Sequence, residues 1–266
     1  MVTIWIDPPA WPAHGRLWSH LISDESIAEL NDFAAGLGIP RRGFEGDHYD
    51  IPAEYYERAL ASGAVETTGR DLLRRLQASG LRLPKRRGDK GIERVTGWTL
   101  ADGTRADIDL ILSPREMTDE RIFAAMVFVQ DAGGRHLLTW SERRQEWGAP
   151  GGWREGDESP VANAVREAEE ESGLVLDPAE LRPVGYERFR RDPHTPAPGL
   201  WVPGRDILQV YAANLSAHRP PVRVEEPGQP GPEWVEDVEL GERCRDSFWW
   251  PLAARVLALE QLPEPE

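Results

Sequence analysis

The spacing of apolar residues divides the chain into two stretches of strands and helices. In the first, residues 2–6 are rich in β-branched side chains and predict a buried strand, while residues 24–37 carry apolar side chains on one helical face. Residues 52–61 and 70–79 predict two further helices, and residues 64–67 predict a short strand between them. These elements indicate a small α/β domain.

The second stretch is richer in strands. Residues 92–112 predict a hairpin that turns at Asp102-Gly103, and residues 122–140 predict a second hairpin that turns at 131–134. Further strands are predicted at residues 181–191 and 207–215. A final helix is predicted at 248–262, with Pro251 in its first turn.

A break between the two stretches is visible at residues 85–91, which are polar and charged and contain no apolar side chain. We therefore expect a small α/β domain at residues 1–90, a connecting hairpin or linker at 91–117, and a second domain at 118–266. Two long loops rich in proline and glycine interrupt the second domain, at 192–206 and 217–233. Loops of that length in a compact domain are usually functional or disordered.

Charge is unevenly distributed along the chain. The net charge is −15; residues 1–90 hold 13 acidic and 12 basic side chains, and the remainder holds 33 acidic and 19 basic ones. The strongly acidic second half would repel a nucleic-acid backbone, which argues against a general nucleic-acid-binding protein. It does not argue against small phosphorylated substrates, because bound cations would reverse the local potential.

Other features of the sequence bear on the cellular compartment in which the protein is expected. No stretch reaches the eighteen apolar residues of a membrane helix, and the first residues lack the basic region of a signal peptide. The single cysteine, Cys244, forms no internal disulfide and has no histidine near it in sequence, so we interpret it as a bystander in a reducing environment. We expect a cytoplasmic protein without a membrane-spanning segment. The sequence leaves open whether the protein forms a homodimer.

The residues from Gly152 to Leu174 combine helix-capping signals with a dense set of charges. Ser159 is a good N-cap, Pro160 suits the first helical position, and Gly173 suits the C-terminal cap. At about 100° per residue, the helix has an apolar side that suits docking onto a sheet and a neighbouring side that carries several carboxylates.

That carboxylate side consists of Glu167, Glu170 and Glu171. Crowded carboxylates repel one another and destabilise the fold unless a cation neutralises them. Oxygen ligands at this density suit Mg²⁺ or Mn²⁺. A solvated acidic helix face is the simpler interpretation, but it leaves the regular spacing of the glycines, Arg166 and Glu158 unexplained.

This stretch resembles the Nudix hydrolase family, whose motif is matched at every fixed position: Gly152, Glu158, Arg166, Glu167, Glu170, Glu171 and Gly173. The resemblance covers roughly residues 118–262 and implies an α/β fold, namely an α/β/α sandwich around a mixed sheet. It also implies divalent-cation-dependent hydrolysis of a nucleoside diphosphate linked to another group. The expected substrate is an ADP-ribose-like compound, a nucleotide sugar, a dinucleotide or a modified nucleoside triphosphate.

The resemblance further implies roles for single residues. Glu170 and Glu171 bind the cations, Glu167 binds metal or activates water, and Gly151 offers its carbonyl oxygen to the metal. Arg166 orients a neighbouring glutamate, and Glu158 supports the site. Loop acids are candidates for an extra ligand or base: Glu225, Glu226 and Glu233. Aromatic and polar residues near the motif are candidates for substrate contacts: Trp147, Trp153, His194, Trp201 and Arg205.

The first domain gives a weaker signal. Its segments WIDPP (5–9), GRLWSHL (15–21) and GFEGDHYDI (43–51) resemble a small bacterial domain family of unknown function that is found alone or before Nudix domains. Polar residues gather in the first fifty positions: Asp7, His20, Asp47, His48 and Asp50. A metal or phosphate site is one interpretation, and helix capping with structural hydrogen bonds is the other, since no known ligand spacing is met.

Two alternatives to a Nudix enzyme stay open. In one, the second domain senses a nucleotide without turnover, and degenerate motif carboxylates would mark that case. In the other, the first domain carries the main activity and the Nudix-like domain processes a by-product.

Overall fold

In the computed structural model, which describes residues 3–195, 201–223 and 230–258, the chain divides into two compact units. The first unit is Met1–Ile92 and the second is Glu93–Glu266. Among the described residues, no helix is long and apolar enough to cross a membrane.

The first unit is a five-stranded sheet with three helices. Its strands are β1 (Ile4–Ile6), β2 (Trp11–Ala13), β3 (Arg16–Ser23), β4 (Tyr49–Pro52) and β5 (Val65–Glu66). The order is β2-β3-β1-β5, with β4 also paired to β3. The helices are α1 (Ile27–Gly36), α2 (Tyr56–Ala61) and α3 (Gly69–Ala78). The predicted helices and strands of this unit are confirmed within a few residues, whereas the β2–β3 hairpin and β4 were not predicted.

Two apolar clusters hold the first unit together. The larger packs α1 and α2 onto one side of the sheet through buried residues such as Ile6, Leu21 and Leu30. The smaller packs Leu72 and Leu76 of α3 against Ile22 of β3. Because successive strand residues face opposite sides, Leu21 and Ile22 serve different clusters.

The second unit is built on a nine-stranded sheet. Its strands are β6 (Lys90–Thr99), β7 (Arg105–Leu112), β8 (Ile122–Gln130), β9 (His136–Ser141), β10 (Glu146–Gly148), β11 (Gly151–Trp153), β12 (Arg182–Arg191), β13 (Ile207–Asn214) and β14 (Glu233–Val235). The order is β10-β9-β8-β13-β12-β7-β6, with β11 paired to β8 and β14 to β9. The β8–β13 pair is parallel and the β12–β13 pair is antiparallel, so the sheet is mixed.

Helices cover both sides of this sheet: α4 (Pro160–Ser172), α5 (Asp237–Cys244) and α6 (Trp250–Val256). Strand β8 is buried along almost its whole length, as expected for a central strand covered on both faces. Val127 points to the cluster that contains α4, and its neighbour Phe128 contacts Trp249, next to α6. The expected α/β/α arrangement around a mixed sheet is therefore confirmed.

The differences from the predicted elements lie mainly at short segments. The predicted final helix begins later, at Trp250, and its predicted end lies outside the described residues. Helix α5 and strands β10, β11 and β14 were not predicted. The hairpin at residues 92–112 is confirmed as β6 and β7, and β7 pairs with β12 in the sheet of the second unit.

Candidate active site

Helix α4 is fixed at both ends by its own sequence. The side chain of Ser159 accepts a hydrogen bond from the backbone N–H of Ala162 at 3.1 Å, and Gly173 ends the helix with a left-handed φ of 69°. Ala164 and Ala168 are fully buried against the sheet. This anchoring determines the direction in which the acidic side of the helix points.

Arg166 connects the acidic residues of the motif. Its guanidinium donates to both carboxylate oxygens of Glu158, at 2.9 and 3.2 Å, and to the backbone carbonyl of Trp153 at 2.9 Å. The same group lies 2.9 Å from Glu167 and 2.7 Å from Glu170. The hydrogen bonds that Arg166 donates to Glu158 are the largest influence and raise the pKa of Arg166, so it stays a cation that orients three carboxylates.

Glu167 and Glu171 lie on the inner part of the acidic side. Burial raises the pKa of Glu167 to about 7, because it outweighs the opposing charge of Arg166, and the negative charge of Glu171 adds to the effect. Glu171 accepts hydrogen bonds from the Thr139 hydroxyl at 2.9 Å and the Gly151 N–H at 3.2 Å. Burial still raises the pKa of Glu171 above its usual value. Without a cation, Glu167 therefore binds a proton near neutral pH.

The backbone of β11 at Gly151 and Gly152 lies very close to the glutamate cluster. A Cβ atom at Gly152 would lie 2.5 Å from the Glu167 carboxylate, so any larger residue at this position would displace that carboxylate. The neighbouring Gly151 donates its N–H to Glu171, which places β11 directly against the glutamates. Glu167, Glu170 and Glu171 thus place carboxylate oxygens along one side of α4, and carboxylate oxygen is the ligand type that a hard divalent cation prefers.

A cavity of about 100 Å³ is lined in part by Gly151 and Gly152, the glycines that lie against the glutamates. Aromatic rings form much of its wall: Phe123, Trp153, Phe189, Trp201, Phe248 and Trp249. The centroids of Phe123, Trp153 and Trp201 lie 4.7–4.8 Å from one another. Such a cavity suits a flat apolar group with a polar edge.

One polar group in this cavity was not predicted from the sequence. Glu187 of β12 is fully buried, and neither of its carboxylate oxygens has a hydrogen-bond partner among the described residues. Burial raises its pKa to about 8. The sequence does carry a signal, because Gly185, Glu187 and Phe189 alternate along one strand and the acid falls on the inward side.

The structure places the predicted contact residues at different points. Trp153 and Trp201 line the cavity, and the indole N–H of Trp201 donates to Asp102 at 3.0 Å. Trp147 packs against Trp140 and under the guanidinium of Arg243, outside the cavity lining.

The remaining predicted residues of the second unit lie in loops or at a strand end. His194 is exposed in a turn after β12, and Arg205 lies in the turn before β13. Glu233 begins β14 and pairs with Arg243 at 2.9 Å. Glu225 and Glu226 lie outside the described residues.

In the first unit, the structure brings together the predicted acidic and histidine residues Asp7, His20, Asp47, His48 and Asp50. The alternative role for Asp47 and Asp50, capping of a helix at Pro52, is not what the structure shows, because Asp50 and Pro52 both lie within β4.

Comparison with known proteins agrees with a cation-dependent site of this kind. The family model described as "NUDIX domain" matches residues 120–254, half of the chain, and the chain belongs to the Nudix family. Nudix hydrolases use divalent cations. Residues 4–79 match a second family model, described as "Protein of unknown function (DUF4031)".

Similar curated proteins come from Mycobacterium tuberculosis, strains CDC 1551 / Oshkosh and ATCC 25618 / H37Rv. Both carry the name "Putative 8-oxo-dGTP diphosphatase 3" and are 44% identical over 48 residues, which is 18% of this chain. The match spans only 22% of the length of these relatives.

Similar solved structures include the Bacillus subtilis pyrophosphohydrolase BsRppH, with 16% identity and a TM-score of 0.42 over 64% of this chain and 99% of that one. MutT from Aliivibrio salmonicida and Vibrio cholerae has 18% identity and a TM-score of 0.37 over 52% and 98% of the two chains. The Nudix hydrolase RenU from M. smegmatis has 20% identity and a TM-score of 0.36 over 55% and 91%.

Proposed function

We propose that the second unit hydrolyses the diphosphate linkage of a nucleoside diphosphate derivative with Mg²⁺ or Mn²⁺. The observation that carries the proposal is the cluster of Glu167, Glu170 and Glu171. The pKa values of Glu167 and Glu171 are raised in the cation-free protein, and a bound cation would reverse that effect. All three glutamates belong to a complete Nudix motif, so every motif carboxylate that turnover requires is present.

The three glutamates would hold the cation, with Gly151 contributing its carbonyl oxygen. When bound, the cation would neutralise the charge that develops on the diphosphate and make water a better nucleophile. Arg166 keeps Glu158, Glu167 and Glu170 in position through its hydrogen bonds and ion pairs. These contacts fix the carboxylates before the substrate arrives, which limits reorganisation during the reaction.

Glu167 is our candidate for the general base. It is held by the helix and by Arg166, so it needs no loop closure to reach an attacking water. The loop acid Glu233 is less suitable, because it is already paired with Arg243.

The aromatic cavity is our candidate for the nucleobase pocket. Its rings offer stacking surfaces, and Glu187 offers the hydrogen-bonding group that would distinguish one base edge from another. A neutral carboxyl both donates and accepts hydrogen bonds, whereas an ionised carboxylate only accepts them. The relatives named for 8-oxo-dGTP favour a purine, whose edge carries adjacent N–H and carbonyl or ring-nitrogen groups.

The activity is tested by a substrate panel with the full chain. The panel contains 8-oxo-dGTP, dGTP, ADP-ribose, NADH, a diadenosine polyphosphate and a nucleotide sugar, each with Mg²⁺, with Mn²⁺, or with excess EDTA. We expect cleavage of at least one compound to a nucleoside monophosphate, detected by chromatography, and loss of that cleavage with EDTA. Turnover of no compound with either cation, or full turnover in EDTA, would contradict the proposal.

The base pocket is tested by Glu187→Gln on the substrate found in the panel. Because Glu187 contacts the base and not the diphosphate in this account, KM should rise by about tenfold or more while kcat changes little. Glu180→Gln, at an exposed position in the same unit, is the matched control. An unchanged KM in Glu187→Gln would remove Glu187 from substrate recognition.

A further inference from the structure

A second polar cluster lies in the first unit, which the matched family model does not assign to any activity. Strands β3 and β4 pair so that His20 stands opposite Asp50. His48 precedes Asp50 by two residues and therefore lies on the same side of the strand. One ligand atom from each of the three side chains lies within 4.8 Å of the others.

The atoms that converge are the Nε2 atoms of both histidines and one oxygen of Asp50. The Asp50 Oδ1 atom lies 3.3 Å from His48 Nε2 and 3.8 Å from His20 Nε2. Two ligands bound tetrahedrally to one zinc ion at about 2.0–2.1 Å lie roughly 3.4 Å apart. The spacing around Asp50 is therefore close to that of a coordinated metal.

Each histidine is oriented by a buried aspartate behind it. Asp7 lies 2.9 Å from His20 Nδ1 and also accepts the His20 backbone N–H at 2.6 Å and the Trp11 indole N–H at 3.3 Å. Asp47 lies 2.5 Å from His48 Nδ1 and accepts hydrogen bonds from the Leu83 N–H and from Arg82. Surrounded by donors, both aspartates act as acceptors.

This arrangement fixes the chemistry of the two imidazole rings. Since each Nδ1 donates to an aspartate, each Nε2 presents its lone pair towards Asp50 when the ring is neutral. A carboxylate behind a histidine is the usual arrangement around metal-binding histidines, where it sets the tautomer and ring orientation. Helix capping alone would not require two such histidine–aspartate pairs.

The Asp50 oxygen at the centre provides an independent observation. Its Oδ1 atom is buried and has no hydrogen-bond partner among the described residues. When both imidazole rings are neutral, the Asp50 oxygen and the two nitrogen lone pairs that face it are mutually repulsive and costly to bury. A proton on His48 would relieve the contact at 3.3 Å, but the 3.8 Å contact to His20 is too long for a hydrogen bond.

We propose that His20, His48 and Asp50 bind a divalent transition-metal ion of the zinc type. Imidazole nitrogens favour such ions, whereas Mg²⁺ favours oxygen ligands, so this site differs from the carboxylate site of the second unit. Both histidines line a cavity of about 260 Å³ together with Trp11, Leu72 and Leu76. Three protein ligands beside a cavity leave a coordination position for water or a small ligand, as in catalytic rather than structural metal sites.

The test uses the full chain with Glu170→Gln and Glu171→Gln, so that the second unit does not compete for metal. The protein is stripped with a chelator and titrated with Co²⁺, followed by absorbance in the visible range, and with Zn²⁺ by calorimetry. We expect one equivalent of either ion to bind, with a cobalt spectrum that indicates imidazole ligands. Binding of Zn²⁺ should also raise the unfolding temperature of the protein.

Variants in the same background identify the ligands. His48→Asn should lower Zn²⁺ affinity by more than 100-fold, and Asp7→Asn, which only orients His20, should lower it by about 10–100-fold. His14→Asn is the matched control, because His14 lies on an exposed turn of the same unit with a φ of 51° that asparagine tolerates. If His48→Asn does not fold, Asp50→Asn replaces it, since the Asp50 side chain is 43% exposed.

A further readout needs no additional variant. In the full chain with Glu170→Gln and Glu171→Gln and no further substitution, Zn²⁺ should shift the side-chain NMR signals of two histidines and leave those of the other histidines in place. Absence of Zn²⁺ and Co²⁺ binding, or equal binding by His48→Asn and His14→Asn, would overturn the proposal. Neither result bears on the function proposed for the second unit.

Discussion

The buried Glu187 leads to a quantitative prediction about stability and pH. Its pKa is about 8 in the folded protein, against an ordinary value of 4.5 for an unfolded glutamate. The folded state therefore binds the proton more tightly than the unfolded state. The contribution of this group to stability is fully present below pH 4.5 and is lost as pH rises towards 8.

The size of the effect follows from the difference between the two pKa values. With about 1.36 kcal/mol for each pKa unit, the easier ionisation of Glu187 in the unfolded state lowers the free energy of unfolding, relative to its value at low pH, by about 1 kcal/mol at pH 5 and about 4 kcal/mol at pH 8. Glu187→Gln cannot ionise and keeps nearly the same shape. We expect this variant to lose about 3 kcal/mol less stability than the wild type between pH 5 and pH 8.

The assay is urea unfolding followed by tryptophan fluorescence, since most of the 11 tryptophans lie in the second unit. Wild type, Glu187→Gln and the exposed control Glu180→Gln are compared at pH 5, 6.5 and 8. Glu187→Gln should have the highest midpoint of the three at pH 8, while the control follows the wild type. If Glu187→Gln were no more stable than the wild type at pH 8, the carboxyl would not be a buried, uncompensated group.

Three further predictions concern the carboxylate helix and the division of the chain. Glu167→Gln should lower kcat about 100-fold or more in a steady-state assay. If Glu233→Gln lowered kcat further than Glu167→Gln does, Glu233 would be the general base instead. Because the pKa of Glu167 is about 7, Mg²⁺ binding should release more protons at pH 6.5 than at pH 8.5, measured by calorimetry in buffers of different ionisation enthalpy; equal release would contradict the raised pKa. A chain that begins near Ile92 should fold and hydrolyse the same substrate, and a folded but inactive product would show that the first unit contributes to the activity.

The motif helix was predictable because its signals are local. The cap at Ser159, the left-handed Gly173 and the spacing of the glutamates all lie within one helix, and a 3.6-residue period relates them directly. The structure adds the contacts that join the helix to the rest of the site, such as Thr139 to Glu171. Those contacts depend on how distant strands pair, so the sequence alone does not give them.

The first unit shows the opposite case. Its acidic and histidine residues were identified, but the sequence left a metal site and structural hydrogen bonds as alternatives. The choice depends on the pairing of His20 with Asp50 across two strands separated by helix α1. Register between distant strands is set by burial of one face of the sheet, and β4 was too short to be recognised. The ligand spacing therefore exists only in the folded chain.

Glu187 was missed for a different reason. Strand β12 was predicted, but its single inward-facing acid resembles an ordinary polar residue in a charged segment. Only the aromatic residues from other elements, such as Phe123 and Trp201, make its surroundings apolar. Assignment of each β12 residue to the inward or outward face of the sheet would have identified Glu187 as a buried acid.

The central claim is that the glutamates of α4 hydrolyse a diphosphate with a divalent cation. It is tested most directly by comparing two neighbouring variants, Glu170→Gln on the acidic side and Glu169→Gln at an exposed position of the same helix. Both remove one charge, so a general charge effect would change them equally. We expect kcat/KM with Mg²⁺ to fall by about 100-fold or more in Glu170→Gln and to stay within about threefold of wild type in Glu169→Gln. Equal activities in the two variants would contradict the account.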